Sequence, residues 1–143
     1  MKLLVTGGLG FIGSNFILKL LTESSNYEII NVDAELFGAD HKNLSEIKNS
    51  KKYHFEKGNI TNKKFMEEQI ANCDAVINFA AETFVDRSIN DANPFLVSNI
   101  RGAYTILDII TKQKKRMIQI STDEVFGSLI DGTATEQSKL NPS

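Results

Sequence analysis

A strand, a glycine-rich turn and a helix follow one another at the start of this chain. Lys2 to Thr6 is an apolar, β-prone run, glycines then interrupt it, and apolar residues recur at helical spacing from Phe11 to Leu21. Such a turn directs free backbone N–H groups and the positive end of the helix dipole at one point, where an anion is stabilised. The pattern therefore predicts a binding site for a pyrophosphate.

The glycines of this turn stand at Gly7, Gly10 and Gly13, and each has a separate role. Gly7 allows a turn conformation that other residues disfavour, Gly10 lets the backbone approach phosphates, and Gly13 lets the helix pack on the strand. A second apolar strand over 29–33 ends in Asp33, whose carboxylate can accept hydrogen bonds from the adenosine ribose and would repel a 2′-phosphate. The sequence thus favours NAD over NADP. The alternative is a plain strand-to-helix turn with Asp33 only capping or solvated.

Strands and helices alternate along the rest of the chain. The predicted elements are a short helix over 43–48, a strand over 52–56, a helix over 61–70 capped by Thr61, a strand over 75–81, a helix over 93–114 and a strand over 116–121. This alternation predicts a parallel, doubly wound α/β sheet of the Rossmann type, with strand order 3-2-1-4-5. We expect residues 1–143 to form one dinucleotide-binding domain.

The helix predicted over 93–114 begins near Pro94 and is amphipathic. The face expected to pack on the sheet carries Leu96, Ile100, Ala103, Leu107 and Ile110. Tyr104 and Ile106 are expected to be exposed and to contact a partner. The basic run 112–116 at the end of the helix is expected to be solvated and to complement the helix dipole.

Small and polar residues stand at the ends of the two later strands. Ala80 and Ala81 end the strand over 75–81, where small side chains leave room for a ligand or for close packing of a helix. The run 121–127, Ser-Thr-Asp-Glu-Val-Phe-Gly, follows the last strand. Because ligands of an open α/β sheet meet the carboxyl ends of its strands, we expect the chemistry of the protein to take place here.

Composition argues against several classes of function. The formal net charge of −2 and the pI near 5.7 supply no positive field for nucleic acid or an anionic membrane. A single cysteine, Cys73, rules out an intramolecular disulfide and is expected to be buried, which fits the reducing cytoplasm. His41 and His54 lack partners at metal-binding spacing, so no metal is expected. We expect no signal peptide, because the opening apolar stretch is short and ends in glycines, and no apolar run of the sequence approaches membrane-spanning length.

Five motifs stand at residues 6–14, 31–33, 80–89, 99–102 and 121–127. Together they resemble those of the extended short-chain dehydrogenase/reductase superfamily, and within it those of the dTDP-glucose 4,6-dehydratases. The first motif is shared by the whole superfamily. The stretch 80–89 and the Thr-Asp-Glu triplet at 122–124 narrow the resemblance to the dehydratases.

The resemblance implies an NAD-dependent lyase that acts on a nucleotide-activated glucose. In that family hydride passes from C4 of the sugar to NAD, water is lost across C5 and C6, and the hydride returns to C6, which gives a 4-keto-6-deoxy sugar. Elimination needs one ionised and one protonated carboxyl group. By position, Glu124 is the implied base, Asp123 the implied acid, and Thr122 the residue that hydrogen-bonds the C4 oxygen. The alternative is a strand-end pair of carboxylates that caps a turn.

The resemblance also implies binding residues by position. Those implied for NAD are Gly7, Gly10, Phe11, Ile12, Gly13, Asp33, Asn59, Ile60, Ala80, Ala81, Asn99 and Ser121. Those implied for the substrate are Glu82, Asp86, Arg87 and Ser88, for which surface salt bridging is the alternative. Three positions depart from the family pattern: Asn59 stands where aspartate is usual, Ala34 where a lysine often follows the ribose-binding aspartate, and Phe84 where histidine is usual.

One motif of the family has no match at its expected position. The Tyr-x-x-x-Lys pair, whose tyrosine is the base for the C4 hydroxyl, is expected downstream of the 121–127 motif, where residues 128–143 contain no tyrosine. The same spacing occurs at Tyr53 and Lys57, but there it lies on and next to the strand predicted over 52–56. We therefore expect an amino-terminal part of a dehydratase, without the last strands and the C-terminal substrate domain and inactive alone, from a parent that is a homodimer. The alternatives are a related nucleotide-sugar epimerase or decarboxylase, against which Asp123 argues, and a non-catalytic dinucleotide-binding module.

Overall fold

A computed structural model describes residues 1–129 and 131–142 of the chain. Its centre is a five-stranded parallel sheet with the order β3-β2-β1-β4-β5. The strands are β1 (Lys2–Thr6), β2 (Glu28–Asp33), β3 (Tyr53–Lys57), β4 (Ala75–Asn78) and β5 (Arg116–Gln119). The predicted fold class and strand order are confirmed.

Helices cover both faces of the sheet. The α-helices are α1 (Phe11–Glu23), α2 (Lys63–Ala71), α3 (Val85–Asn90), α4 (Asn93–Phe95) and α5 (Ala103–Gln113). A π-helix, Leu96–Gly102, joins α4 to α5, and 3₁₀ turns occupy His41–Leu44 and Asp123–Phe126. No helix within residues 1–129 and 131–142 has the length and apolar character that a membrane span requires.

Two apolar cores form because successive residues of a strand point to opposite faces of the sheet. On one face Leu3 and Val5 pack with Ile17 of α1. On the other face Leu4 packs with side chains of α2 and α5, among them Ile106. Both faces of β1 are therefore buried, as the continuous apolar run in the sequence indicates.

The face of the long helical segment that packs on the sheet matches the predicted one only in part: Ile110 is buried, as expected. Ile106, expected to be exposed, is completely buried, whereas Leu96, Ile100 and Leu107, expected to be buried, are 54%, 63% and 51% exposed. Hydrogen bonds in a π-helix span one residue more than those in an α-helix, so the π-helical segment turns the faces of the flanking helices relative to each other. The exposure predicted for Tyr104 is confirmed.

Several predicted boundaries also change. The short helix expected over 43–48 is a 3₁₀ turn over His41–Leu44, where Asp40 Oδ1 accepts from Lys42 N at 2.8 Å. The helix expected to be capped by Thr61 is capped by Asn62, whose Oδ1 accepts from Phe65 N at 3.2 Å. The strands predicted over 75–81 and 116–121 end earlier, so their final residues are free to line cavities.

Cys73 is buried next to β4, as predicted. Burial raises the pKa of its thiol above the usual range, because the thiolate loses solvation there. Cys73 therefore behaves as a small apolar residue and lacks the environment of a reactive thiolate.

Candidate functional site

The glycine turn between β1 and α1 is packed so closely that side chains are excluded from two of its three positions. Gly7 has a φ of +71°, and a Cβ there would lie 2.6 Å from the backbone N of Ala80. A Cβ at Gly13 would lie 2.5 Å from the carbonyl oxygen of Gly7. At Gly10 the nearest atom would be 3.4 Å away, which is ordinary contact. The space beside Gly10 is thus open to a ligand.

The amino terminus of α1 begins directly after this turn. No side chain caps it, and its first turn carries no acidic residue. Its N–H groups and the positive end of its dipole are therefore available to an anion. Phe11 and Ile12, in the first turn, are 82% and 62% exposed, which is unusual for large apolar side chains and indicates that they line a binding surface.

Asp33 lies at the carboxyl end of β2, beside the glycine turn, and is 8% exposed. Its Oδ2 accepts from Leu9 N at 3.0 Å and its Oδ1 accepts from Glu35 N at 2.8 Å. The carboxylate therefore caps two loops, as the alternative interpretation of this residue expects. Each oxygen keeps a further lone pair. Contact with a ribose remains a prediction.

Glu35, which sequence reasoning missed, shapes the loop after β2. It has a φ of 55°, in the left-handed region that few residues of its type adopt. Its carboxylate pairs with Lys57 and, at 2.6 Å, with Nε2 of His41. The hydrogen bond from Lys57, followed by that from His41, lowers the pKa of the Glu35 carboxyl. No sequence pattern singles this residue out, because its partners come from β3 and a 3₁₀ turn.

The first cavity opens at the carboxyl ends of β1, β2 and β4 and has a volume of about 450 Å³. The predicted cofactor residues line it with the exception of Asn99; they are Gly7, Gly10, Phe11, Ile12, Gly13, Asp33, Asn59, Ile60, Ala80, Ala81 and Ser121. A concave, largely apolar cavity with a few polar groups at such a sheet edge is typical of a cofactor site. The loop 36–39 forms one of its walls. The sequence indicates that the stretch 34–50 passes over the adenosine end of a cofactor, but it singles out no contact residue within 36–39.

A second cavity, of about 490 Å³, lies next to the first and shares residues 80–83, 120 and 121 with it. Among the residues predicted to act on or bind a substrate, Glu82, Ser88 and Thr122 line this cavity, and Asn99 lies here too. The Asn99 amide is engaged with a neighbouring loop: its Oδ1 accepts from Glu82 N at 2.8 Å and its Nδ2 donates to the Glu82 carbonyl at 2.8 Å.

A line of side-chain hydrogen bonds joins the carboxyl ends of β1, β4 and β5. Thr6 Oγ1 donates to Asn78 Oδ1, and Asn78 Nδ2 donates to Gln119 Oε1 at 2.7 Å. Gln119 Nε2 donates in turn to the carbonyl oxygen of Ile120 at 2.8 Å. Thr6 and Asn78 are buried and are register partners in the sheet. These bonds hold three strand ends together and orient the peptide that precedes the 121–127 motif.

The triplet at 122–124 forms the start of an exposed 3₁₀ turn. Thr122 Oγ1 accepts from Glu124 N at 3.2 Å and donates to Asp123 Oδ1 at 3.3 Å. Thr122 thereby caps the turn, as the alternative interpretation of the triplet expects. Thr122 lines the second cavity, while Asp123 and Glu124 line neither cavity. The catalytic roles of the three residues remain predictions.

The four residues expected to bind a substrate are brought together only in part: Glu82 and Ser88 line the second cavity, whereas Asp86 and Arg87 line neither cavity. Glu82 is 8% exposed and pairs with Arg87, whose Nη1 lies 3.0 Å from Oε2. Ser88 Oγ donates to the Val85 carbonyl at 2.6 Å, and Asp86 lies in the exposed first turn of α3. Glu82 and Arg87 thus form a salt bridge, as the alternative interpretation expects, but the Glu82 carboxylate is buried and does not lie at the surface. Among the residues that the structure describes, no three His, Cys, Asp or Glu side chains meet as a metal site requires.

Known proteins resemble the chain in both sequence and structure. It is 41% identical to the low-salt glycan biosynthesis protein Agl12 of Haloferax volcanii over 143 residues, and 40% identical to a dTDP-glucose 4,6-dehydratase of Mycolicibacterium smegmatis over 146 residues. These matches cover 99% and 100% of the chain and 46% and 44% of the two relatives. The chain therefore spans about half the length of the curated relatives it matches.

Solved structures of dTDP-glucose 4,6-dehydratases superpose closely on the chain. A Bacillus anthracis enzyme in complex with NAD has a TM-score of 0.89 at 38% identity, covering 100% of this chain and 44% of that one. The enzyme DesIV of Streptomyces venezuelae has a TM-score of 0.92 at 36% identity, covering 99% and 46%. The resemblance drawn from the motifs is confirmed. The family model described as GDP-mannose 4,6 dehydratase matches residues 4–143, so the chain belongs to that family.

Proposed function

We propose that this chain binds NAD and is the cofactor-binding part of an enzyme that dehydrates dTDP-glucose to the 4-keto-6-deoxy sugar. The observation that carries the proposal is the first cavity, in which the glycine turn, the uncapped amino terminus of α1 and Asp33 meet. The Bacillus anthracis relative is described as a complex with NAD, and the Streptomyces venezuelae relative as bound to NAD and TYD. Relatives named UDP-glucose 4-epimerase are less similar, at 25–26% identity.

The residues present fit a dinucleotide. The backbone around Gly10, with the free N–H groups of α1, would hold the pyrophosphate, since no Cβ or acidic side chain occupies that space. Asp33 would accept from the adenosine ribose, and Asn59 and Ile60 would line the adenine, beside the loop 36–39. When bound, NAD supplies a hydride acceptor and donor for the sugar. The proton of the C4 hydroxyl would pass to a base outside residues 1–143, for which the family resemblance implies the tyrosine of the Tyr-x-x-x-Lys pair, and the elimination would be carried out by side chains of this chain.

The proposed dehydration uses the triplet at 122–124. Thr122 hydrogen-bonds the C4 oxygen of the sugar, Glu124 removes the proton from C5, and Asp123 gives a proton to the departing C6 hydroxyl. The second cavity, beside the first and lined by Thr122, supports a sugar-binding role for this region. For the intact enzyme we further propose a homodimer in the cytoplasm. The exposed apolar residues of the helical segment support the homodimer. The single free cysteine supports a reducing compartment such as the cytoplasm.

To test this proposal, the full-length protein is incubated with dTDP-glucose and NAD, and the loss of water from the sugar is followed by mass spectrometry. Glu124→Gln should lower kcat by roughly 10²- to 10⁴-fold with little change in KM, because it removes the base and retains the shape of the side chain. Glu136→Gln, which alters an exposed carboxylate outside both cavities, is the matched control.

Two results would contradict the proposal. Release of a 4-epimer with no loss of water would assign the protein to the epimerases. Full dehydratase activity in Glu124→Gln would remove the triplet from the mechanism while leaving the reaction itself in place.

A further inference from the structure

One side chain, Arg87, connects two walls of the first cavity. On one side its Nη1 lies 3.0 Å from Oε2 of Glu82, which follows β4. On the other side its guanidinium carbon lies 4.2 Å from the centre of the Phe37 ring, in the loop after β2. Glu82 and Phe37 both line the cavity, whereas Arg87 does not. The arginine therefore lies across the two walls from outside.

An aromatic contact reinforces the same connection. The rings of Phe37 and Phe84 meet edge to face, with centroids 5.0 Å apart and an angle of 89° between the rings. Phe37 is 61% exposed and Phe84 is 54% exposed, so this contact lies at the mouth of the cavity and not in the core. We call Phe37, Glu82, Phe84 and Arg87 the rim contact.

The rim contact is anchored on the side of β4. Asn99 of the π-helix fixes the backbone of Glu82 through two hydrogen bonds of 2.8 Å. The Glu82 side chain is 8% exposed, so its carboxylate depends on Arg87 for compensation of a buried charge. A planar guanidinium can pair with a carboxylate and stack on a ring at the same time, which a lysine ammonium does less well.

We propose that Arg87 is a positioning residue that holds the two walls of the cofactor cavity together and sets the rate at which a bound dinucleotide leaves. The inference rests on the proposed binding of NAD. It assigns Arg87 a role other than the substrate contact expected from the family resemblance. The loop at Phe37 must move away from Glu82 for the mouth to widen, and this movement breaks the contacts of Arg87 on one side or the other.

The test is the dissociation rate of NAD, measured by rapid displacement with excess ligand. Arg87→Met keeps the length of the side chain and removes the charge, and it should raise the dissociation rate about tenfold. The dissociation rate of Arg87→Lys should lie between those of the unaltered chain and of Arg87→Met, because lysine keeps the ion pair with Glu82 and loses the stacking on Phe37. Arg101→Met, at an exposed arginine of the π-helix that lines neither cavity, should leave the rate unchanged.

A double-mutant cycle separates the rim contact from any direct contact between Phe37 and the ligand. Phe37→Leu and Arg87→Met should be non-additive, because each breaks the same stacking contact. Additive effects would overturn the connection between the two residues.

The failures of the two proposals can be told apart. An unchanged dissociation rate in Arg87→Met and Arg87→Lys, with NAD still bound, overturns this inference alone. Failure of the unaltered chain to bind NAD overturns the proposed function. Amide exchange at Ala39 and Asp40, which donate to the carbonyls of Leu36 and Leu9, then tests the rim contact itself. Faster exchange of these amides in Arg87→Met than in the unaltered chain supports the rim contact, and an unchanged exchange rate overturns it.

Discussion

At the scale of single residues, the glycine turn separates positions that need glycine for packing from one that needs it for a ligand. A Cβ at Gly13 meets backbone atoms of the turn at 2.5 Å and 2.9 Å, which cannot move without displacing α1 from β1. Gly13→Ala should therefore destabilise the fold by about 1–3 kcal/mol. Gly10→Ala should cost less than about 1 kcal/mol, since its Cβ meets nothing closer than 3.4 Å. Urea unfolding of the two variants measures the difference.

Ligand affinity provides the complementary measurement for the same two glycines. Gly10→Ala should weaken NAD binding while the protein stays folded, because the methyl group occupies the space that the phosphates need. Equal loss of stability in both variants would contradict the distinction between them.

Local sequence patterns reveal some residues of the site and not others. The glycines and Asp33 are recognisable because their positions relative to a strand and a helix carry the signal. Glu35 and Phe37 are not recognisable, because their contacts, with Lys57 and Arg87, come from distant parts of the chain. A single sequence contains no information on such pairs until the fold brings them together.

At the scale of the elements, the π-helix decides which residues of the last helix are buried. Ile106 and Leu107 are neighbours in sequence, yet Ile106 is completely buried in the core and Leu107 is 51% exposed. Ile106→Ala should cost about 2–5 kcal/mol, because it opens a cavity in the core. Leu107→Ala should cost no more than about 1 kcal/mol. Denaturant unfolding of the two variants tests which of the two residues is buried. A larger loss of stability in Leu107→Ala than in Ile106→Ala would contradict the structure.

Which residues of the last helix face the core is the part of the fold that periodicity could not predict. An α-helical pattern applied to residues 93–114 predicts the burial of Ile110 correctly and that of Leu96, Ile100 and Leu107 wrongly, since the sequence has no signature for the π-helical segment. The strands are predictable from local patterns, because β1, β2 and β4 are short apolar runs and β3 alternates apolar and polar residues. The predicted ends of β4 and β5 lie too far along the chain, and for β4 the reason is that Phe79 to Ala81 remain apolar after the strand has ended.

Asp108 links α2 to α5 and should make that packing sensitive to acid. Its Oδ2 accepts from Lys112 Nζ at 2.7 Å and from Lys63 Nζ at 2.8 Å. The hydrogen bond from Lys112, followed by that from Lys63, lowers the pKa of the Asp108 carboxyl in the folded protein. The unfolded chain therefore holds this proton more tightly, so the stabilisation is complete above the unfolded pKa and is lost as the pH falls through the folded pKa.

Asp108→Asn should reduce stability at neutral pH and flatten the loss of stability as the pH falls below about 4. Urea midpoints measured across this range provide the test. Asp131→Asn, at an exposed carboxylate outside the helices and strands, should leave the profile unchanged. The interpretation would be wrong if Asp108→Asn gave the same acid profile as the unaltered chain.

At the scale of the whole molecule, the sheet order follows from connectivity. Strands joined by helices pair in parallel through right-handed crossovers, and the order β3-β2-β1-β4-β5 brings the loops after β1, β2 and β4 to one edge. That edge carries the first cavity. The position of the site was thus predictable from the sequence, whereas the closing of its rim by Arg87 required the three-dimensional arrangement.

The central claim is that this edge binds NAD through the glycine turn and Asp33. Calorimetric titration of NAD and NADP into the chain, with Asp33→Ala beside it, tests the claim most directly. We expect NAD to bind more tightly than NADP and this preference to disappear in Asp33→Ala, because the carboxylate that would meet the ribose and repel a 2′-phosphate is gone. Equal affinity for both dinucleotides in the unaltered chain, or no binding of either by folded protein, would contradict it.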